Sequence, residues 1–257
     1  MELYDLFLFA GQSNMAGRGI TCEQFPEGAP SLLPGAGAEF RAISDPTRLY
    51  PICEPFGVNE NNPQGIFEPG MKTGSMVTAF VNSCFHQTNV PILGVSASKG
   101  GSVIEQWQGD RDFLSDAIDR VKRTLSWCRE QGIEIRHRYV VWCQGESNGD
   151  HGTSGADYKK LFHHTMAQLF AIGFEQCFLV VIGQYNGDRE LSYEEIIRAQ
   201  RELGEGETHV TVVCDSFCTM KERGLMKDAF HYYQAAYNEV GTIAGEQAGM
   251  YINSAAK

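Results

Sequence analysis

Short continuous apolar runs recur along the chain, separated by stretches with a helical period. Leu6-Phe7-Leu8-Phe9-Ala10, ending at Gly11, is one such run. Val90 to Val95, Tyr139 to Trp142 and Cys177 to Ile182 are three more, and His209 to Cys214 is a weaker fifth. Runs of this length without alternation predict strands buried on both faces, as in a parallel sheet. Between them, Ser75 to Gln87 carries Met76, Val77, Phe80, Val81 and Cys84 at helical spacing. Phe113 to Arg129 carries Phe113, Leu114, Ala117, Ile118, Val121, Leu125 and Cys128 on one side. Asp157 to Phe170, Tyr193 to Leu203 and His231 to Ala248 complete the predicted helices. Strands alternating with helices imply parallel strands joined by crossovers. The expectation is one three-layer α/β domain over residues 1–257, with a parallel sheet of about five strands.

Residues Ile20 to Gly70 break this rhythm. They hold eight of the nine prolines and no periodic apolar stretch. A loop this long in a compact domain is usually functional or an excursion over the surface.

Composition narrows the class of protein. With 42% hydrophobic and 21% charged residues the chain has the balance of an ordinary globular protein. The formal net charge of -11, with no Lys/Arg cluster, argues against nucleic acid or an anionic membrane as partner. Eight cysteines form no CxxC pair, and no metal-ligand spacing is apparent, so reduced structural thiols and no metal or cofactor are expected. The N-terminus lacks a basic segment, and no stretch nears the ~20 apolar residues of a membrane span. A cytoplasmic location is the expectation.

Four polar segments follow predicted strands or precede the last helix, where ligands of open parallel sheets bind. In Gly11-Gln12-Ser13-Asn14-Met15-Ala16-Gly17-Arg18-Gly19, Ser13 is either a nucleophile or a helix cap. In Lys99-Gly100-Gly101-Ser102, the paired glycines suit an oxyanion hole or a plain tight turn. In Gln144-Gly145-Glu146-Ser147-Asn148, Gln144 could aim its amide at an oxyanion, and Glu146 could brace the Ser13 turn through backbone N–H groups or orient a histidine. In Asp228-Ala229-Phe230-His231, the Asp can reach Nδ1 of the His, leaving Nε2 for a nucleophile. Trp107 either stacks on a sugar ring or packs under its own loop. A nucleophile, N–H donors and an Asp–His pair together meet the needs of nucleophilic acyl transfer.

These segments, with Ile104-Glu105-Gln106-Trp107, resemble the SGNH hydrolase superfamily, and within it carbohydrate esterase family 6 and the sialate O-acetylesterase-like proteins. The resemblance runs from the first predicted strand to the last helix. It implies a flavodoxin-like α/β/α fold, Ser13 as nucleophile, His231 as base and an acetylated carbohydrate as substrate. It further implies an oxyanion hole from the Ser13 N–H, the Gly100 N–H and the Gln144 side chain, with Gly101 replacing Gly100 if the turn shifts by one residue, and Gln12 alongside. Asp228 is the expected acidic partner of His231, with Glu146 as the alternative. Secreted members of the family degrade xylan, and the missing export signal points away from a polymeric substrate. Other readings are a different short-chain acyl hydrolase, such as a thioesterase or lipase, and a non-catalytic carbohydrate-binding protein. A nucleotide-binding module would need a Gly-x-Gly-x-x-Gly loop after the first strand, which is absent.

Overall fold

The structure, a computed structural model, describes residues 2–109 and 112–255. The expected domain limits at Met1 and Lys257 fall outside these residues. In chain order the elements are β1 (Leu3–Gly11), α1 (Ser13–Ala16), β2 (Gly37–Phe40), β3 (Leu49–Tyr50), α2 (Val77–Thr88), β4 (Ile92–Ser98), a 3-10 turn (Ile104–Trp107) and α3 (Asp112–Gln131). They continue with β5 (Glu134–Cys143), α4 (Glu146–Asp150), α5 (Gly155–Ala171), β6 (Gln176–Val180), α6 (Glu194–Gly206), β7 (Val210–Cys214), α7 (Phe217–Met220) and α8 (Gln234–Ala255).

The strands form one sheet in the order β3-β2-β4-β1-β5-β6-β7, parallel except for the antiparallel edge strand β3. Five of the seven are the apolar runs of the sequence. The other two lie in the proline-rich excursion, and they extend the sheet beyond β4.

Successive side chains of a strand point to opposite faces, and β1 follows this rule with apolar residues on both. Phe7 and Phe9 pack with Val77, Phe80, Tyr237 and Val240 under α2 and α8. Leu6, Leu8 and Ala10 pack with Leu114, Val121, Phe162 and Ile196 under α3, α5 and α6. The sheet is thus covered on both sides, which gives three layers. Close contact between α2 and α8 depends on small residues: a Cβ on Gly241 or Gly245 would stand 2.3 Å from the Met76 carbonyl oxygen or 2.2 Å from that of Phe80.

The excursion is held down by a buried ion pair on α3. Arg120, fully buried, bonds Asp116 at 2.9 Å, the Ser96 carbonyl of β4 at 2.9 Å and the Glu60 carbonyl at 3.2 Å. Asp116 in turn accepts the Ile66 N–H at 2.8 Å and the Asn62 amide at 2.9 Å. These bonds pair the two charges and fix residues 60–66 beside the carboxyl end of β4. The residues that follow are thereby set over the sheet's ligand-binding edge.

β1 lies between β4 and β5, so the chain leaves the sheet on one side of β1 and re-enters on the other. Loops after β1, β4 and β5 diverge around one crevice, the usual ligand position in such sheets.

Candidate active site

A cleft of about 440 Å³ opens at this edge, lined among others by Gln12, Ser13, Gly100, Gly101, Glu146 and His231. Ser13 is the first residue of α1. Gly11, with φ of 140°, permits the sharp exit from β1, and a Cβ there would lie 2.0 Å from the Cys143 carbonyl oxygen. The carbonyl of Gln12 accepts the Met15 and Ala16 N–H groups, closing the turn. The Ser13 N–H has no acceptor among the described residues, as expected in the first turn of a helix.

Asp228 and His231 sit on a loop closed by its own bonds. Met226 and Tyr232 form an antiparallel bridge, and the Lys227 N–H donates to the His231 carbonyl at 2.9 Å. Asp228 Oδ1 accepts the N–H groups of Phe230 and His231, each at 2.8 Å, so this carboxylate shapes the turn it belongs to. Both its oxygens also stand 3.0 Å from His231 Nδ1. His231 Nε2 is 2.9 Å from Ser13 Oγ. The helical pattern read from His231 onward starts later in the structure, because this loop delays α8 until Gln234.

Electrostatics favour a neutral imidazole. Burial lowers the His231 pKa from its ordinary 6.5, outweighing the opposite pull of Asp228, and Arg18 and Lys227 add to the depression. Burial opposes ionisation of Asp228, but the Phe230 and His231 N–H bonds and the facing imidazole hold its carboxyl below the usual range. A neutral His oriented by an ionised Asp can accept the Ser13 proton through Nε2.

Other expected residues are placed differently. Glu146 makes no bond to His231 among the described residues; its Oε1 accepts the Asn14 side-chain amide at 2.5 Å. It braces the Ser13 turn through that side chain, and burial raises its pKa to about 7. Gln144 does not reach the cleft. It is fully buried, and its amide hydrogens go to Asn148 Oδ1 at 2.7 Å and the Ser102 carbonyl at 3.1 Å, which corrects its expected place in the oxyanion hole. The Gly100 N–H faces the cleft but donates to Glu68 Oε1 at 2.6 Å, whereas the Gly101 N–H has no acceptor among the described residues. Gln12 lines the cleft, and its Oε1 accepts the Gly145 and Ser147 N–H groups at 3.0 and 3.3 Å, tying α1 to the loop after β5. Trp107 is fully buried, donates Nε1–H to Ser102 Oγ at 3.0 Å and packs edge-on against Trp142. Its face is covered by protein, so it presents no surface to a sugar.

Three residues of the site carry no role in the sequence reading. Asn14, fully buried, donates to Glu146 and to the Phe230 carbonyl at 3.1 Å, and accepts from the Tyr237 hydroxyl at 2.6 Å. It thus joins the Ser13 turn, the loop after β5, the histidine loop and α8. Arg18 and Glu68 form an ion pair at 2.8 Å in the cleft wall. The one signal for Arg18 and Asn14 was their place in the polar segment after β1; Glu68 had none. Among the described residues, no group of three or more His, Cys, Asp or Glu side chains is arranged to hold a metal.

Comparison with known proteins places this geometry. A comparison with curated proteins gave no match. The chain is similar in structure to a protein from Arabidopsis thaliana, with 22% identity, a TM-score of 0.69, and coverage of 96% of this chain and 98% of the other. It is also similar to a carbohydrate acetylesterase from Xanthomonas citri, with 17% identity, a TM-score of 0.61, and coverage of 96% of this chain and 56% of the other. At these identities the likeness supports the fold. A family model, described as carbohydrate esterase, sialic acid-specific acetylesterase, matches residues 3–249. The chain therefore belongs to the carbohydrate esterase, sialic acid-specific acetylesterase family and is a carboxylic ester hydrolase.

Proposed function

We propose that the protein removes acetyl groups from carbohydrate hydroxyls through an acetyl-enzyme formed on Ser13. The observation that carries this reading is the relay from Ser13 Oγ to His231 Nε2 at 2.9 Å and from His231 Nδ1 to Asp228 at 3.0 Å. His231 takes the Ser13 proton as Oγ attacks the acetyl carbonyl carbon. The Ser13 and Gly101 N–H groups stabilise the resulting oxyanion, each by on the order of 3 kcal/mol. The intermediate collapses as His231 Nε2–H protonates the departing sugar oxygen. Water, deprotonated by the same imidazole, then attacks the acetyl-serine and releases acetate, restoring Ser13.

With Trp107 buried, the apolar surface for a sugar ring is supplied by the cleft-lining Phe67 and Met71, which are 46% and 54% exposed. Their exposure in the same cleft as Ser13 and His231 supports a cyclic substrate with carbon–hydrogen faces. A cytoplasmic setting accords with eight cysteines that are all free. The test is acetate release from acetylated xylo-oligosaccharides, sialic acids and monosaccharides. Wild type should release acetate from at least one class, and Ser13→Ala should abolish that release and p-nitrophenyl acetate turnover. Near-normal p-nitrophenyl acetate turnover by the Ser13→Ala variant would remove Ser13 as nucleophile.

A further inference from the structure

Asp150 closes α4, one helical turn after Glu146, and lines the cleft together with Ser13 and His231. Its Oδ1 accepts the hydroxyl of the buried Tyr193 at 2.6 Å, which fixes the carboxylate in place. Its Oδ2 has no hydrogen-bond partner among the described residues, and unlike the second oxygens of Glu68 and Glu146 it is not buried: 25% of the side chain is exposed. Beside it stands Arg189, 57% exposed, with Nη2 at 3.6 Å from Asp150 Oδ1. That separation makes an ion pair but not a hydrogen bond. Among the described residues the guanidinium donates only its Nε–H, to the Tyr185 hydroxyl at 3.2 Å. It lies over the rings of Tyr185 and Phe230, with Cζ at 5.3 and 5.9 Å from their centres, and the Phe230 ring is 6.0 Å from that of His231. The pair therefore sits on the histidine's side of the cleft, where the departing alcohol takes its proton.

We propose that Asp150 and Arg189 are specificity-determining residues that grip hydroxyls of the departing alcohol, Asp150 Oδ2 accepting and the Arg189 Nη groups donating, so that the enzyme prefers acetates of polyols. This rests on the esterase reading above and refines its substrate class. A fixed carboxylate oxygen open to the cleft, with unpaired N–H donors next to it, matches a group that both gives and takes hydrogen bonds, as a hydroxyl does. The two charges offset each other, so an ammonium or a carboxylate on the substrate finds no net counter-charge. A hydroxyl gains a charge-assisted bond from either partner. A site made to hydrogen-bond a hydroxyl discriminates against an analogue that lacks it.

The test takes the carbohydrate acetate that wild type hydrolyses fastest and sets it against cyclohexyl acetate, a six-membered ring with no hydroxyl. The quantity read is the ratio of kcat/KM for the sugar ester to that for cyclohexyl acetate. Asp150→Asn keeps an acceptor for the Tyr193 hydroxyl and puts an NH2 in place of the open oxygen. It should lower the ratio about 10-fold, chiefly through KM for the sugar ester. That is the lower range for a hydrogen bond to a charged group, because water competes at a partly exposed site. Arg189→Met should lower the ratio at least about threefold. Labelling of Ser13 by a fluorophosphonate reports that each variant's site is folded. A labelled Asp150→Asn protein whose ratio equals that of wild type would overturn the proposal, since slowing both esters alike is a structural effect. Should that variant fail to label, an unchanged ratio for Arg189→Met, at an exposed position, would overturn it instead. Failure of the esterase reading itself is seen separately, as p-nitrophenyl acetate turnover that survives Ser13→Ala or as no acetate release from any carbohydrate ester.

Discussion

Replacing Asn14 by alanine isolates the contribution of a residue that touches no substrate and yet joins four parts of the site. The side chain is fully buried, and its three bonds end on Glu146, the Phe230 carbonyl and the Tyr237 hydroxyl. Without it, the fully buried Tyr237 hydroxyl loses its acceptor, and Glu146, whose Oε2 already lacks a partner, loses its amide donor. At about 1–3 kcal/mol per stranded group, these two losses come to roughly 2–6 kcal/mol of stability. The loss on the Phe230 carbonyl acts on geometry, because that residue immediately precedes His231. If the histidine loop and the Ser13 turn separate by about 1 Å, kcat should fall on the order of 100-fold. Urea unfolding measures the first effect and p-nitrophenyl acetate turnover the second. A stability change under about 1 kcal/mol with kcat within about threefold of wild type would refute both the stranding and the positioning arguments.

Two further outcomes follow from the titrating groups. Because burial lowers the His231 pKa below 6.5, kcat/KM should rise with pH to a plateau, with its inflection under that value. Asp228→Asn, which removes the charge opposing this shift, should move the inflection lower and cost at least about 100-fold in rate; an inflection above 6.5 in wild type would contradict the assignment. For Glu146, burial raises the carboxyl from its ordinary 4.5 to about 7, so the folded state holds more protons than the unfolded one between those values. Stability should therefore fall by on the order of 3 kcal/mol as pH rises through that window, and Glu146→Gln should flatten the dependence in chemical denaturation. Parallel pH profiles for the two proteins would show that this carboxyl does not titrate as argued.

The long strands were legible because both faces of a covered parallel sheet demand apolar residues, which leaves an unbroken run in the sequence. β2 and β3 leave no such mark. They have four and two residues, and β2 contains Glu39, a buried carboxylate held by Arg41. Ser13, Asp228 and His231 could be singled out because their chemistry is recognisable from residue type and local spacing. Gln144 shows the limit of that reasoning. Its neighbours in sequence are those of an oxyanion donor, but its direction is decided by Asn148 and by Ser102, the latter 42 positions away. Trp107 was ambiguous for the same reason, since burial against Trp142 is a property of the packed layers. Glu68 was invisible because the segment that carries it has no period. Its position depends on Asn61 and on the Arg120–Asp116 pair beneath it.

The Ser13–His231 contact joins positions 218 residues apart, the one just after the first strand in the chain and the other beyond the last. With the roles proposed above, the ribosome must add 218 residues after the nucleophile before it reaches the base. At about 5–20 residues per second that interval lasts on the order of 10–40 s. Throughout it the proposed nucleophile lacks the imidazole that would activate it, and hydrolysis can begin only once the loop carrying His231 has docked on the Ser13 turn.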